Sequence, residues 1–147
     1  MAFFKLNVLI INLLGHKINK SARIWSTIKF RGIVSLQVGD DTFIGDSCII
    51  TGGESTVFIG DYCDVSSNVS FVTGSHKIDL YGNHLAGKGF SSDINVGNRV
   101  WIGFGCIVLG GVKIGNNVII AAGSLINKDI PDNTIYGGVP AKFIRDL

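Results

Sequence analysis

The chain has 147 residues, 46% of them hydrophobic and 16% charged, with 20 glycines against 2 prolines. Such a balance excludes a disordered chain, which lacks the apolar side chains that offset ordering entropy, and the length suits one domain with a real core. A net charge of +2, with lysines and arginines scattered singly and no basic patch interleaved with aromatics, excludes a nucleic-acid binder.

The first element is an apolar run from Phe3 to Leu14, broken by Lys5, Asn7 and Asn12. It is too short to span a bilayer as a helix, and it lacks the basic lead and small-residue cleavage site of a signal peptide. Residues 1–32 are therefore expected to cover one open end of the core. Peripheral contact with a membrane surface is the second reading of this segment.

Next come the coils, expected over 33–76 and 94–131. Aliphatic positions recur six apart in three blocks: Val38, Ile44, Ile50; then Ile59, Val65, Phe71; then Val96, Ile102, Val108, Ile114, Ile120, Ile126. A period of six fits neither an α-helix nor a two-sided strand. It suits a short strand plus a turn, three units closing a triangular coil of about 18 residues, with coils stacked about 4.8 Å apart. Gly39, Gly45, Gly60, Gly97, Gly103 and Gly115 follow the inward residue, where φ is positive or backbones crowd. Cys48, Cys63 and Cys106 each stand four after an aliphatic position, a slot filled elsewhere by Thr42, Val69, Val100, Val112, Val118 and Ser124. All three therefore read as buried thiols in a reducing, cytoplasmic compartment. Their odd number and the lack of any CxxC argue against disulfides or zinc.

The beat fails between Phe71 and Gly97. Residues 77–93, rich in turn formers, are expected to leave the coil as an extruded loop, the kind of place where binding groups sit. His76 stands at its mouth and His84 within it. A short tail, 132–147, closes the chain.

"VGNRVWIGFGCIVLGGVKIGNNVIIAAGSLINKDIPDNTIYGGVPAKFIRDL" resembles, almost throughout, the galactoside, maltose and serine acetyltransferase branch of the hexapeptide-repeat acyltransferases. "IGDYCDVSSNVSFVTGSH" is similar to that family's segment ending in its catalytic histidine. The resemblance covers about Val38–Leu147. It implies an all-β fold, a left-handed parallel β-helix, and an acetyl-CoA-dependent enzyme acting as a homotrimer in which the loop reaches over a shared site. Lys77 stands where Pro commonly follows the histidine, and Phe104 where a small or polar residue is frequent. These departures, with a short apolar lead where the galactoside and maltose enzymes carry an N-terminal helical segment, weaken galactoside or maltose transfer. The short lead more resembles the acetyltransferases of surface-polysaccharide or O-antigen synthesis.

The resemblance makes His76 the general base, a role suited to imidazole because its ordinary pKa lies near working pH. Asp79 is a candidate to hold its tautomer. Asp79, Tyr81, Asn83 and His84, with Lys88, are candidate acceptor contacts. Ala122, Asn127 and Lys128 match positions lining the family's acetyl-CoA groove, and Lys142 and Arg145 match its nucleotide end, where cations suit phosphates. Trp101 is expected at the groove edge or at a subunit contact. No metal is expected: a γ-class carbonic anhydrase needs three convergent histidines. A non-enzymatic β-helix would show outward Thr ladders, and none is present. The acceptor is a sugar, nucleotide-sugar or lipid-linked sugar hydroxyl, with N-acetylation of a nucleotide-linked amino sugar as the alternative.

Overall fold

A backbone that turns an aliphatic side chain inward at every sixth residue must change direction between them, and it does so here around three flat faces. The computed structural model describes residues 2–147. The first face stacks Lys17–Ile18, Ser35–Val38, Thr56–Ile59, Ile94–Val96 and Lys113–Ile114 in parallel. The second stacks Arg23–Ile24, Phe43–Ile44, Asp64–Val65, Trp101–Ile102, Val118–Ile120 and Thr134–Gly137. The third stacks Lys29–Gly32, Ile49–Gly52, Ser70–Val72, Ile107–Leu109 and Leu125–Ile126. The result is a three-sided parallel β-helix whose interior is one continuous core. All twelve hexad residues are buried, as are the nine residues of the +4 slot, the three cysteines among them.

The corners explain the glycines. None of the six that follow an inward residue has positive φ; that conformation falls two positions later, at Asp41, Ser47, Tyr62, Arg99, Gly105 and Asn117. The glycines answer to crowding between coils instead. A Cβ at Gly60 would lie 2.6 Å from the Gly97 carbonyl oxygen, and one at Gly97 2.7 Å from that of Gly115.

Along the corner between the first and second faces, side chains tie one coil to the next. The backbone N–H of Asp40 donates to Asp61 Oδ1, Asp61 to Asn98 Oδ1, Asn98 to Asn116 Oδ1 and Asn116 to Asp132 Oδ1, at 2.7–2.8 Å. Amides that the turn leaves without backbone partners are satisfied in this way.

Three boundaries differ from expectation. Of residues 1–32, the helix Ala2–Leu13 alone lies across the end of the coil; residues 17–32 are themselves a first coil. Its inward residues, Ile18, Ile24 and the half-buried Phe30, keep the spacing of six. Asn19, Trp25 and Arg31 follow them where glycine would have marked the repeat. The helix is tied down by Asn7 Nδ2 donating to the Ile24 carbonyl and by Asn12 exchanging two hydrogen bonds with Ile18. His16 stacks on Phe30 and accepts the Leu36 N–H through Nδ1, and burial lowers its pKa.

The interruption is an ordered antiparallel hairpin, Gly74–Ile78 with Ala86–Ser91, rather than a plain loop. In the tail, Thr134–Gly137 extends the second face and Lys142–Asp146 folds back antiparallel on it.

Candidate active site

The hairpin leaves the coil between the third and first faces, and polar side chains clamp its base. Buried Thr73 sits 2.8 Å from Ser55 Oγ, Ser91 Oγ accepts from the Gly53 N–H, and Asp93 Oδ1 accepts from the Thr56 N–H. Between the hairpin and the turn of the preceding coil opens a cleft of about 480 Å³, lined by Gly53, Glu54, Gly74, Ser75, His76, Gly89, Phe90 and Ser91.

His76 pairs with Gly89, and the next pair is Ile78 with Ala86, so the return strand carries an extra residue at Gly87–Lys88. Bulges of this kind re-aim backbone groups. Here His76 Nδ1 lies 2.8 Å from the Gly87 carbonyl oxygen. A carbonyl only accepts, so Nδ1 carries the proton and the lone pair of the neutral ring is on Nε2. That is the tautomer a base needs. The bulge demands glycine at 87, where a Cβ would meet Asp79 Cβ at 2.7 Å.

Asp79 does not hold His76. Its Oδ1 accepts the N–H groups of Tyr81 and Gly82, which closes the hairpin turn. Tyr81, Asn83, His84 and Lys88 are all exposed on the hairpin and do not line the cleft. Glu54 does line it, and reading the sequence did not single it out. It belongs to the coil before the hairpin, and only stacking brings it to the cleft that His76 lines. Its exposed carboxylate gives the cleft a second hydrogen-bond acceptor.

The proposed coenzyme residues fall into two groups. Asn127 and Lys128 are exposed on the same edge as the hairpin, two coils further on, about 10 Å at the usual strand spacing. Ala122 lies on the next edge, where Lys142 pairs with Gly137 beside Ala121. Arg145 pairs with Ile135 on the second face. All five are exposed; the outward side of the third face, with Ile107 and Leu125, lies between the two groups. Trp101 is on the second face, in a separate cleft with Tyr62, Asp64 and Arg99. Among the described residues no group of His, Cys, Asp or Glu has the arrangement of a metal site.

This geometry is that of the hexapeptide-repeat transferases. The family model described as bacterial transferase hexapeptide (six repeats) matches residues 93–128, and that for the hexapeptide repeat of succinyl-transferase matches residues 36–71. The galactoside O-acetyltransferase of Escherichia coli K12 is 40% identical over 94 residues, 63% of this chain and 45% of that protein. WcaF of the same organism, provisionally named a colanic acid biosynthesis acetyltransferase, is 30% identical over 97% of this chain and 76% of its own. The hexapeptide-repeat acetyltransferase VCA0836 of Vibrio cholerae superposes with a TM-score of 0.77 at 30% identity, over 95% of this chain and 78% of that one. It has also been solved with acetyl coenzyme A. The chain belongs to the hexapeptide-repeat acyltransferase family, with the left-handed parallel β-helix of that family. It spans about half the length of the curated relatives it matches first.

Proposed function

We propose that the chain transfers acetyl from acetyl-CoA to a sugar hydroxyl, in the synthesis of a surface polysaccharide, as a cytoplasmic homotrimer. The observation that carries this reading is the His76 ring, held at the cleft by the Gly87 carbonyl with Nε2 free to accept a proton. Nε2 takes the proton of the attacking hydroxyl as its oxygen forms a bond to the thioester carbonyl carbon. The tetrahedral adduct then collapses, the C–S bond breaks, and the imidazolium returns the proton to the departing CoA thiolate. The balance is one acetyl-CoA and one hydroxyl consumed, one acetyl ester and one free CoA thiol formed. Asn127, Lys128 and Ala122 lie toward the coenzyme, with Lys142 and Arg145 toward its phosphates, where exposed cations suit charge-assisted hydrogen bonds. The hairpin carries Tyr81, Asn83 and His84 toward an acceptor in a neighbouring subunit's site, and this is what requires the trimer.

The acceptor class is supported by the polar side chains of Glu54, Ser75, His76 and Ser91 in the cleft lining, and by the likeness to WcaF. A screen of sugars, nucleotide sugars and lipid-linked sugars with acetyl-CoA, read by thiol release, tests the reading. Release is expected with a hydroxyl acceptor. Release with an amino sugar alone would convert the reading to N-acetylation, and release with none would remove the enzymatic one.

A further inference from the structure

The charges of this chain are sorted along its axis. Six of the 13 lysines and arginines, and none of the 11 acidic residues, precede Asp40; the rest of the chain has seven cations against 11 acids. The fold turns this sorting into a surface. Lys17, Arg23 and Lys29 occupy exposed positions on the three faces of the first coil, one per face, with Arg31 beside Lys29 and Lys20 at a corner. They ring the end of the β-helix that the N-terminal helix covers.

That helix buries Val8 and Ile11 against the coil and leaves Phe3, Leu6, Leu9, Ile10 and Leu13 between 47% and 78% exposed. Trp25, 40% exposed, packs edge-on against Phe3 and Phe4 at the same end. Beside the helix a groove of about 550 Å³ is lined by Val8, Leu9 and Asn12 and by the cations Lys5 and Lys20. Among the described residues no helix is long and apolar enough to cross a membrane.

We propose that this end of the molecule docks on an anionic lipid bilayer, with the helix lying in the headgroup region parallel to the surface. A 12-residue helix with aliphatic side chains directed away from the protein seats its apolar side at the boundary between headgroups and acyl chains. The first-coil cations then lie within a coil's thickness of the headgroups, inside the Debye length over which anionic lipid attracts them. Trp25 takes the interfacial position that indole favours. Charge selects the partner: the surface is apolar at its centre and cationic at its rim, where Arg23 is paired with Asp41 of the next coil at 3.4 Å while Lys17, Lys20, Lys29 and Arg31 have no ion pair among the described residues. The acetyl-transfer reading is not needed for this inference.

Co-sedimentation of the full chain with phosphatidylcholine vesicles, plain or with about one-third phosphatidylglycerol, tests it. Partition is expected onto the anionic vesicles only, weakening as salt is raised. Leu9→Glu/Leu13→Glu and, separately, Lys17→Gln/Lys29→Gln should each lower that partition at least roughly 10-fold. Lys113→Gln, far along the axis, should leave it unchanged. In a Trp101→Phe background, Trp25 emission should shift to the blue on anionic vesicles. Equal partition onto both vesicle types overturns the proposal, as does no partition by protein whose circular dichroism and mass in solution are intact. A change of subunit number in Leu9→Glu/Leu13→Glu with unchanged partition also overturns it, and assigns the surface to a contact between copies.

Discussion

In the proposed reaction His76 is the base, and two substitutions test that role. Replacing it with Ala should lower kcat by about 10²–10⁴-fold, the usual contribution of general-base assistance. Acetyl-CoA binding, measured by calorimetry, should persist, because the coenzyme candidates lie two coils away. Gly87→Ala is a finer probe. The added methyl meets Asp79 and moves the carbonyl that holds Nδ1, so kcat should fall while KM for acetyl-CoA stays put; unchanged kcat would show that the bulge does not set the tautomer. The cysteines have the opposite character. Cys48 donates to the Ser66 carbonyl at 3.2 Å, and burial pushes its thiol from 9.0 to about 11. Below pH about 9 the thiol is protonated in both folded and unfolded chains. Between there and about 11 only the unfolded thiol ionises, so stability should drop as pH rises through that window. Urea midpoints across it should fall less steeply in Cys48→Ala than in the parent chain.

At the scale of the element, the corner is what makes stacked coils stable. The Asp61–Asn98–Asn116–Asp132 ladder supplies acceptors to backbone amides that the turn leaves without partners. Asn98→Ala removes the acceptor of the Asp61 amide, whose exposed N–H then turns to water. A loss of about 0.5–1.5 kcal/mol, read from urea denaturation, is expected. Gly97→Ala should cost more, since its methyl would press on the Gly115 carbonyl, and backbone stacked on both sides has no room to yield. The hairpin breaks the corner rule. It is held at its base by Thr73, Ser91 and Asp93 but leaves Ile78, Leu80, Tyr81 and Leu85 more than 70% exposed. Apolar tips of this size seek a partner surface.

For the whole molecule, that hairpin and the divided coenzyme residues point the same way. Asn127 with Lys128 and Ala122 with Lys142 stand on different edges of one coil, and a second copy against the third face would bring such edges together. Light scattering should therefore give three times the chain mass, and Tyr81→Asp, at the hairpin tip, should shift it toward monomer with loss of turnover. A monomer of full activity would refute the shared site.

Much of this architecture is legible in the order of residues. An aliphatic residue every sixth position, with small residues four further on, suits a three-sided coil. Burial is a local demand, repeated, and so it leaves a periodic trace. That trace located the inward residues, the buried thiols and the break at whose mouth His76 stands; the role of His76 comes from the resemblance. Where the trace lacks its glycines, at Ile18, Ile24 and Phe30, the first coil went unread, although the spacing was there. Contacts between segments remote in sequence leave no such trace. The Gly87 carbonyl meets His76 only because a bulge shifts the return strand. Glu54 enters the cleft because one coil stacks on the next. Asp79, adjacent in sequence, is drawn off by its own turn. Sequence alone determined which side chains face the core, because hydrophobic burial acts on each strand separately. Only the tertiary structure decided which polar groups meet at the cleft, because hydrogen bonds depend on positions that the closing of the coil creates.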